Sequence, residues 1–313
     1  MRKRYSEADK RACRLLLQAL DRSYYLESLN FHPFPWQKAV ANSRRKRKVI
    51  NGARQSGKST IVAGIPAHAA RFYPGSLSII GAPTEHQAKE TMTKVINFCK
   101  ADPDYPELRK CSTEEVELVN GSRIIVRAAT SNAFRGYSCP RVIMLDEASR
   151  IEEEAYTSGA RPMLTDNPDC ELFLISTPFG REGFFYNAMT STRNWERYEI
   201  RSPYMVVGAG SDKGLDPYMP EDEYIGLMSK QGIRAWYSPR HKDYSFQLEQ
   251  LAEMGSMQYR QEYCCEFVEK NGQVFTYDEI AAMFDEGGDV STLNDSYTSS
   301  DLEAMDFLGR SIG

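Results

Sequence analysis

The segment Gly52-Ala-Arg-Gln-Ser-Gly57-Lys58-Ser59 constrains this chain more than any other part of its sequence. It has the spacing GxxxxGK[ST], follows the apolar run KVIN and precedes the helix-compatible stretch STIVAGIPAHAARF, which is the context in which this motif binds phosphate. Its glycines let the loop wrap phosphate groups with backbone N–H groups, and the N-terminus of the following helix adds positive potential. We therefore expect a phosphate-binding (Walker A) loop, in which Lys58 contacts the β- and γ-phosphates of a nucleotide and Ser59 ligates Mg²⁺.

Short apolar runs alternate with helical stretches from about residue 48 to residue 202. The predicted strands are KVIN (48–51), LSIIGAPT (77–84), RIIVRAAT (123–130), RVIMLDEA (141–148) and ELFLISTP (171–178). Strands that are apolar on both faces and separated by helices indicate a mostly parallel sheet flanked by helices. The dipeptide Asn120-Gly121 predicts a two-residue hairpin turn, and so an additional strand before the run at 141–148. The predicted fold class is α/β, of the P-loop NTPase type, with a small helical subdomain.

Helix signals and chain breakers divide the 313 residues into four parts. Ser6 and Asp9 form a capping box at the start of a helix predicted over 6–29, and the prolines of FHPFPWQ (31–37) end it. The predicted parts are an N-terminal helix (1–30), a P-loop ATPase core (31–205), a small subdomain (206–272) and a linker with one further strand (273–313).

Composition excludes several classes of protein. No apolar run approaches the roughly 18–20 residues of a membrane span, and we expect no membrane partner. Seven irregularly spaced cysteines do not fit a zinc ribbon or a disulfide framework and are typical of a reducing compartment. A net charge of -4 argues against a general nucleic-acid coat but permits a local basic surface. The basic run at 44–48 is such a candidate, although a charge run before a strand is more often a solvated loop.

The predicted strand RVIMLDEAS ends in two adjacent acids, Asp146 and Glu147. Open α/β sheets bind ligands at the carboxyl ends of their strands, where these acids lie. We expect Asp146 to hold Mg²⁺ and Glu147 to orient and deprotonate the attacking water. A glutamate at this position predicts ATP hydrolysis, because small GTPases usually orient the water with glutamine.

Two further polar groups are candidates for the same site. The strand LFLIST ends at Ser176-Thr177-Pro178, where a hydroxyl pair can sense the γ-phosphate; the alternative is a simple Thr-Pro turn. Gln37, upstream of the loop, can donate to and accept from the N6/N7 edge of adenine, and the alternative is a surface glutamine behind a proline turn.

Two arginines are candidates for stabilising charge in the transition state. Arg54 lies inside the phosphate loop itself, so it can act only on its own nucleotide. Arg135 lies in SNAFRGYS, a glycine-containing segment just before the strand at 141–148. A solvated surface role is the alternative for each of them.

Several motifs in a fixed order carry a resemblance to a known family. They are FHPFPWQ, ARQSGKST, GAPTEHQAKE, AFRGYS, VIMLDEAS, ISTPFGREGFFY and QYRQEYCCEF, over about residues 31–270. This series resembles the large terminase subunit of tailed bacteriophages, a DNA-packaging motor with an N-terminal P-loop ATPase and a C-terminal RNase H-like nuclease.

The resemblance implies a role for each matching residue. Gln37 is then the adenine contact, Asp146 and Glu147 are the Walker B pair, and Ser176-Thr177-Pro178 lies in the coupling motif. Arg135 matches an arginine that in relatives can act on a neighbouring subunit's ATP. The ATP-binding loop comprises Gly52, Ala53, Arg54, Gln55, Ser56, Gly57, Lys58, Ser59 and Thr60.

The resemblance also implies cofactors and partners. These are ATP and Mg²⁺, double-stranded viral DNA, the portal protein of the procapsid and the small terminase subunit. We expect a monomer in isolation and a homo-oligomeric ring on the portal, in the host cytoplasm and docked only transiently on the procapsid. Asp306, in AMDFLGRSIG, matches the first metal-binding carboxylate of the nuclease. Since its partner carboxylates are absent from the sequence, we expect no nuclease activity from this chain.

Two other functions fit part of the same chemistry. A helicase-type DNA-dependent ATPase uses the same nucleotide site, although the sequence shows no second motor domain. A nucleotide-dependent module that binds DNA or portal without turnover is the other alternative, and the presence of Glu147 argues against it.

Overall fold

The computed structural model describes residues 6–191, 194–208 and 213–268, which all belong to one compact unit, Met1–Val268. Its strands are β1 (Arg47–Gly52), β2 (Leu77–Ala82), β3 (Leu108–Cys111), β4 (Glu115–Leu118), β5 (Arg123–Ala128), β6 (Val142–Asp146), β7 (Glu171–Ser176), β8 (Glu196–Arg201), β9 (Tyr204–Val207), β10 (Gly214–Pro217) and β11 (Ile233–Tyr237). Its α-helices are α1 (Glu7–Leu20), α2 (Arg22–Ser28), α3 (Pro35–Asn42), α4 (Lys58–Phe72), α5 (Glu85–Ala101), α6 (Met163–Asp166), α7 (Gly183–Thr190), α8 (Glu221–Lys230), α9 (Tyr244–Met254) and α10 (Ser256–Glu262).

Within the described residues, nine strands form one sheet in the order β11-β8-β1-β7-β6-β2-β5-β4-β3. The strands from β11 to β5 pair in parallel, while β4 pairs antiparallel with both β5 and β3. Each of the five predicted strands is present. Residues 119–122, which include Asn120-Gly121, join β4 to β5, so the connection is there but is longer than the predicted two-residue turn. The structure thus confirms the predicted α/β class with its mostly parallel sheet.

The sheet is buried on both faces. Met144 of β6 belongs to one apolar cluster, while its neighbours Ile143 and Leu145 belong to another. The first cluster includes the buried face of α4 and α5, and the second includes α7 and the segment around Ala155. Because successive side chains of a strand point to opposite faces, this alternation requires a helical layer on each side.

The helix predicted over 6–29 is two helices in the structure. Asp21 has extended backbone angles (φ -123°, ψ 104°), and its Oδ1 accepts from the backbone N–H of Tyr24 at 2.9 Å. An aspartate competes for backbone N–H groups in this way at a helix N-terminus. Asp21 therefore ends α1 and caps α2, which the apolar spacing alone did not reveal.

The segment predicted as a small helical subdomain, 206–272, also contributes to the main sheet. Its strand β11 pairs in parallel with β8, and β10 pairs antiparallel with β9. The division into four parts stays a prediction, and the part at 273–313, including Asp306, lies outside the described residues. Among the helices of the described ranges, none has the length and apolar content to cross a membrane.

Candidate nucleotide-binding site

A cleft of about 830 Å³ opens at the carboxyl ends of β1, β6 and β7. It brings together the phosphate loop with the ends of two other strands, as the sequence predicted for a parallel sheet. The polar and charged residues that line it include Arg54, Lys58, Ser59, Glu147, Arg150 and Glu262.

The phosphate loop connects β1 directly to α4. Gly57 has a left-handed backbone (φ +100°), and no side chain caps the N-terminus of α4. The Lys58 Nζ donates to the backbone carbonyls of Gly52 at 2.8 Å and Ala53 at 3.0 Å, so the amine lies within the curve of the loop. Uncapped N–H groups and a lysine amine around one loop make an anion-binding site.

Gln37 is joined to the phosphate loop and to the start of α3 by hydrogen bonds. It is 1% exposed; its Oε1 accepts from the backbone N–H of Phe34 at 2.7 Å, and its Nε2 donates to the carbonyl oxygen of Gly57 at 3.0 Å. The positive φ favours glycine at this position, and a Cβ added to Gly57 would lie 2.9 Å from that Nε2, so it would displace the Gln37 amide. Contact between Gln37 and adenine stays a prediction; in the structure, Gln37 links the start of α3 to the loop.

The two acids of β6 differ in environment. Burial, and then the neighbouring charge of Glu147, raise the pKa of Asp146 to about 6. Glu147 itself has left-handed angles (φ 49°, ψ 44°), which a non-glycine residue adopts only when its surroundings enforce them, at a cost of about 1–3 kcal/mol. This turn directs the Glu147 side chain into the cleft.

Hydroxyl groups at the end of β7 hold the Glu147 carboxylate. The Ser176 Oγ donates to Glu147 Oε2 at 3.2 Å, and Thr177 Oγ1 lies 3.5 Å from the same oxygen. Ser149 Oγ lies 2.8 Å from Ser176 Oγ and donates to the Thr177 carbonyl oxygen at 2.8 Å. The tip of β7 thus forms a continuous polar link with the turn that carries Glu147, and Ser149, which follows the acidic pair in LDEAS, was not singled out from the sequence.

The oxygen atoms of Ser59 and Asp146 suit Mg²⁺, which prefers hard oxygen ligands and completes its shell with water and substrate phosphates. The described ranges contain no group of three or more His, Cys, Asp or Glu side chains that could hold a metal ion. Ser59 and Asp146 thus offer two oxygen donors, and water and phosphate would have to supply the rest of a magnesium shell. The raised pKa of Asp146 agrees with this, since a buried carboxylate gains most from a neighbouring cation.

The two predicted arginines occupy different positions. Arg54 lines the cleft, and its backbone N–H donates to the Glu262 carbonyl oxygen at 2.7 Å. Arg135 is exposed on the turn that follows β5 and is not among the residues that line the cleft. Arg54, and not Arg135, therefore lines the cleft of the same chain.

Four charged residues line the cleft that sequence reasoning missed: Lys94, Arg150, Arg240 and Glu262. Arg150 had a signal, because it follows the acidic pair by three positions in LDEASR. Arg240 reaches the carbonyl oxygen of Gln55 at 3.4 Å from 185 positions away. No pattern among neighbouring residues predicts a contact over that separation.

Comparison with known proteins identifies the family to which this site belongs. The family model described as the N-terminal part of the large terminase subunit, T4likevirus-type, matches residues 49–282. The chain belongs to this family. The matched range contains the cleft from the phosphate loop to Glu262, so the family assignment rests on the part of the chain that builds the site.

Individual relatives support the same family assignment. A large terminase subunit of Thermus virus P23-45 is 26% identical over 277 residues, which are 80% of this chain and 52% of that protein. The chain therefore spans about half the length of this curated relative. The fold is similar to the large terminase ATPase domain of Thermus phage P74-26 (TM-score 0.57, 22% identity, 78% of this chain and 97% of that one). It is also similar to the large terminase of bacteriophage HK97 (TM-score 0.52, 13% identity, 75% and 51%).

Proposed function

We propose that this terminase chain hydrolyses ATP and couples hydrolysis to the translocation of double-stranded DNA into a procapsid. The observation that carries the proposal is the Glu147 carboxylate, held by Ser176 beside the loop that contains Lys58. A phosphate cradle alone supports binding, whereas a carboxylate fixed at the same cleft supplies the base that hydrolysis requires.

Each part of the cleft has a separate task in this proposal. The N–H groups of the phosphate loop and the Lys58 amine bind the β- and γ-phosphates, while Glu147 orients a water molecule and accepts its proton. Ser59 and Asp146 would hold Mg²⁺, which would supply positive charge beside the phosphates. Loss of the γ-phosphate changes what Glu147 contacts, and Ser176-Thr177-Pro178 transmits that change to β7.

Membership of the terminase family supports the proposed partners. These are double-stranded viral DNA, the portal protein and the small terminase subunit, with the chain acting in the host cytoplasm as a ring on the portal. The name of the structural relative, an ATPase domain, supports ATP as the nucleotide.

The direct test is phosphate release from ATP with Mg²⁺ by the parent and two variants. Lys58→Ala should abolish tight ATP binding, and Glu147→Gln should retain binding while it loses turnover, because only the water-activating carboxylate is removed. Lys100→Ala and Glu152→Gln, which replace exposed residues outside the cleft, are the matched controls and should resemble the parent. Turnover by Glu147→Gln at the parent rate would refute the assignment of the base.

The exposed position of Arg135 supports a role on a neighbouring subunit's nucleotide, whereas Arg54 acts on its own. A trans-acting arginine is worth about 10³–10⁵ in rate in other phosphoryl-transfer enzymes. Arg135→Ala subunits, which keep the phosphate loop, should regain hydrolysis when mixed with Lys58→Ala subunits, which keep Arg135, once both assemble on portal. Co-assembly without recovery at any mixing ratio would leave Arg54 as the better candidate.

A further inference from the structure

Arg150 connects the turn that carries Glu147 to the C-terminal end of α10. It ends the short 3-10 turn Ala148–Arg150, and its backbone N–H donates to the carbonyl oxygen of Glu147 at 2.9 Å. Its guanidinium lies 4.5 Å from the centre of the Phe179 ring, just beyond the tip of β7. Its Nη2 lies 3.4 Å from Glu262 Oε1. Arg150 is therefore a cation in the cleft whose charge partner comes from the last residue of α10.

Glu262 contacts the phosphate loop as well. Its backbone carbonyl accepts from the Arg54 N–H at 2.7 Å. Three positions later, the carbonyl oxygen of Cys265 accepts from Asn51 Nδ2 at 2.9 Å. The last residue of α10 is thus bonded to the loop, the segment that follows it is bonded to the end of β1, and the Glu262 side chain joins both to Arg150.

The Arg150–Glu262 ion pair is weak enough to exchange. Its N···O separation of 3.4 Å is long for a charge-assisted hydrogen bond. The Glu262 side chain is 7% exposed, but the Arg150 side chain is 39% exposed, so solvent screens the attraction at the guanidinium. A nucleotide phosphate carries more negative charge than one carboxylate and offers several oxygens to the planar guanidinium. A terminal phosphate held at Lys58 in the same cleft therefore competes well for Arg150.

We propose that Arg150 exchanges Glu262 for the terminal phosphate of ATP, and that this exchange reports the nucleotide state to the segment Tyr263–Val268. The inference rests on the proposed nucleotide binding. In it, Arg150 contacts the substrate, while Glu262 is a positioning residue that holds Arg150 when that phosphate is absent. ADP lacks the phosphate and leaves the Arg150–Glu262 pair in place.

The first experiment measures equilibrium binding of ADP and of the slowly hydrolysed analogue ATPγS. Arg150→Gln should reduce the preference for ATPγS over ADP at least tenfold, since it removes a charge-assisted bond that only the terminal phosphate receives. Glu262→Gln, which keeps the shape but removes the competing charge, should tighten ATPγS binding by about two- to fivefold and leave ADP binding unchanged. Arg109→Gln is the matched control, because Arg109 also forms an ion pair, with Glu117, but lies outside both the cleft and the segment Tyr263–Val268.

The second experiment is amide hydrogen exchange across Tyr263–Val268, which a merely structural role of Arg150 would not make nucleotide-dependent. ATPγS should speed exchange relative to ADP in the parent and in Arg109→Gln, but not in Arg150→Gln. If Arg150→Gln does not fold, Arg150→Lys serves instead, because it keeps the charge and loses the fork geometry; it should show a partial loss of preference.

The outcomes separate the two proposals. An unchanged preference for ATPγS in Arg150→Gln, or in Arg150→Lys if only that variant folds, overturns the exchange while ATP hydrolysis by the parent stands. Equal exchange rates of Tyr263–Val268 with ATPγS and ADP in the parent overturn it too. A parent that binds neither nucleotide refutes the proposed function itself.

Discussion

Replacing Glu171 by glutamine removes the one carboxylate from a buried group of three charges. Glu171, at the start of β7, accepts from Lys48 Nζ at 2.8 Å and from Arg22 Nη1 at 3.0 Å. The Lys48 side chain is fully buried. Glu171→Gln would therefore leave a buried ammonium without a counter-charge, a change that costs about 3–5 kcal/mol in other proteins.

The pKa of Glu171 gives an independent magnitude. Burial alone raises this pKa, but hydrogen bonds and charge from Arg22, and then from Lys48, outweigh burial and lower the pKa to about 2. Relative to the ordinary glutamate pKa of 4.5, the lowered pKa corresponds to about 3 kcal/mol of stability at neutral pH. Because the folded-state pKa is depressed, this stability is complete above about pH 4.5 and is lost as pH falls toward 2.

The assay is urea denaturation of the parent and Glu171→Gln between pH 7 and pH 3. The variant should be less stable by about 3 kcal/mol at pH 7, and the difference should fall below half of that near pH 3. Glu117→Gln is the control, because its partner Arg109 is 72% exposed and ion pairs reached by solvent contribute about 0–1 kcal/mol.

A second substitution tests the cause. Adding Lys48→Met to Glu171→Gln removes the uncompensated ammonium and keeps an apolar stem next to the Phe173 ring, which now lies 4.2 Å from the Lys48 Nζ. The double variant should be more stable than Glu171→Gln alone. If Glu171→Gln and Glu117→Gln cost the same at every pH, the reasoning from burial is refuted.

Two further predictions concern the nucleotide site. Ser176→Ala, which removes the hydroxyl that donates to Glu147, should lower kcat for ATP by about 10- to 100-fold with little change in KM, as steady-state phosphate release will show; an equal rise in KM would contradict a positioning role. Gly57→Ala forces an alanine to φ +100° and a Cβ to within 2.9 Å of Gln37 Nε2, so equilibrium binding should show ATP affinity reduced at least tenfold. Gly75→Ala has a similar positive φ with open space around it and should affect stability alone; a matching loss of affinity there would contradict the argument from the clash.

The parts of this protein that sequence alone determined are those encoded within one short segment. The phosphate loop, the five apolar strands and the turn at Asn120-Gly121 depend on spacing, periodicity and glycine conformation, which neighbouring residues specify. The rule that ligands bind at the carboxyl ends of parallel strands then predicts that Glu147 and Ser176 lie at the same edge of the sheet. The contact between them at 3.2 Å required the structure.

What only the tertiary structure decided are contacts between segments distant in the chain. All residues of the run at 44–48 are basic, so the sequence does not distinguish them. The last of them, Lys48, is nevertheless buried against Glu171, 123 positions away. Gln37 reaches Gly57, and Glu262 reaches both Arg54 and Arg150. Such pairs depend on how the strands and helices are arranged in space. Residues with the same local pattern therefore lie in the core, in the cleft or in solvent according to that arrangement.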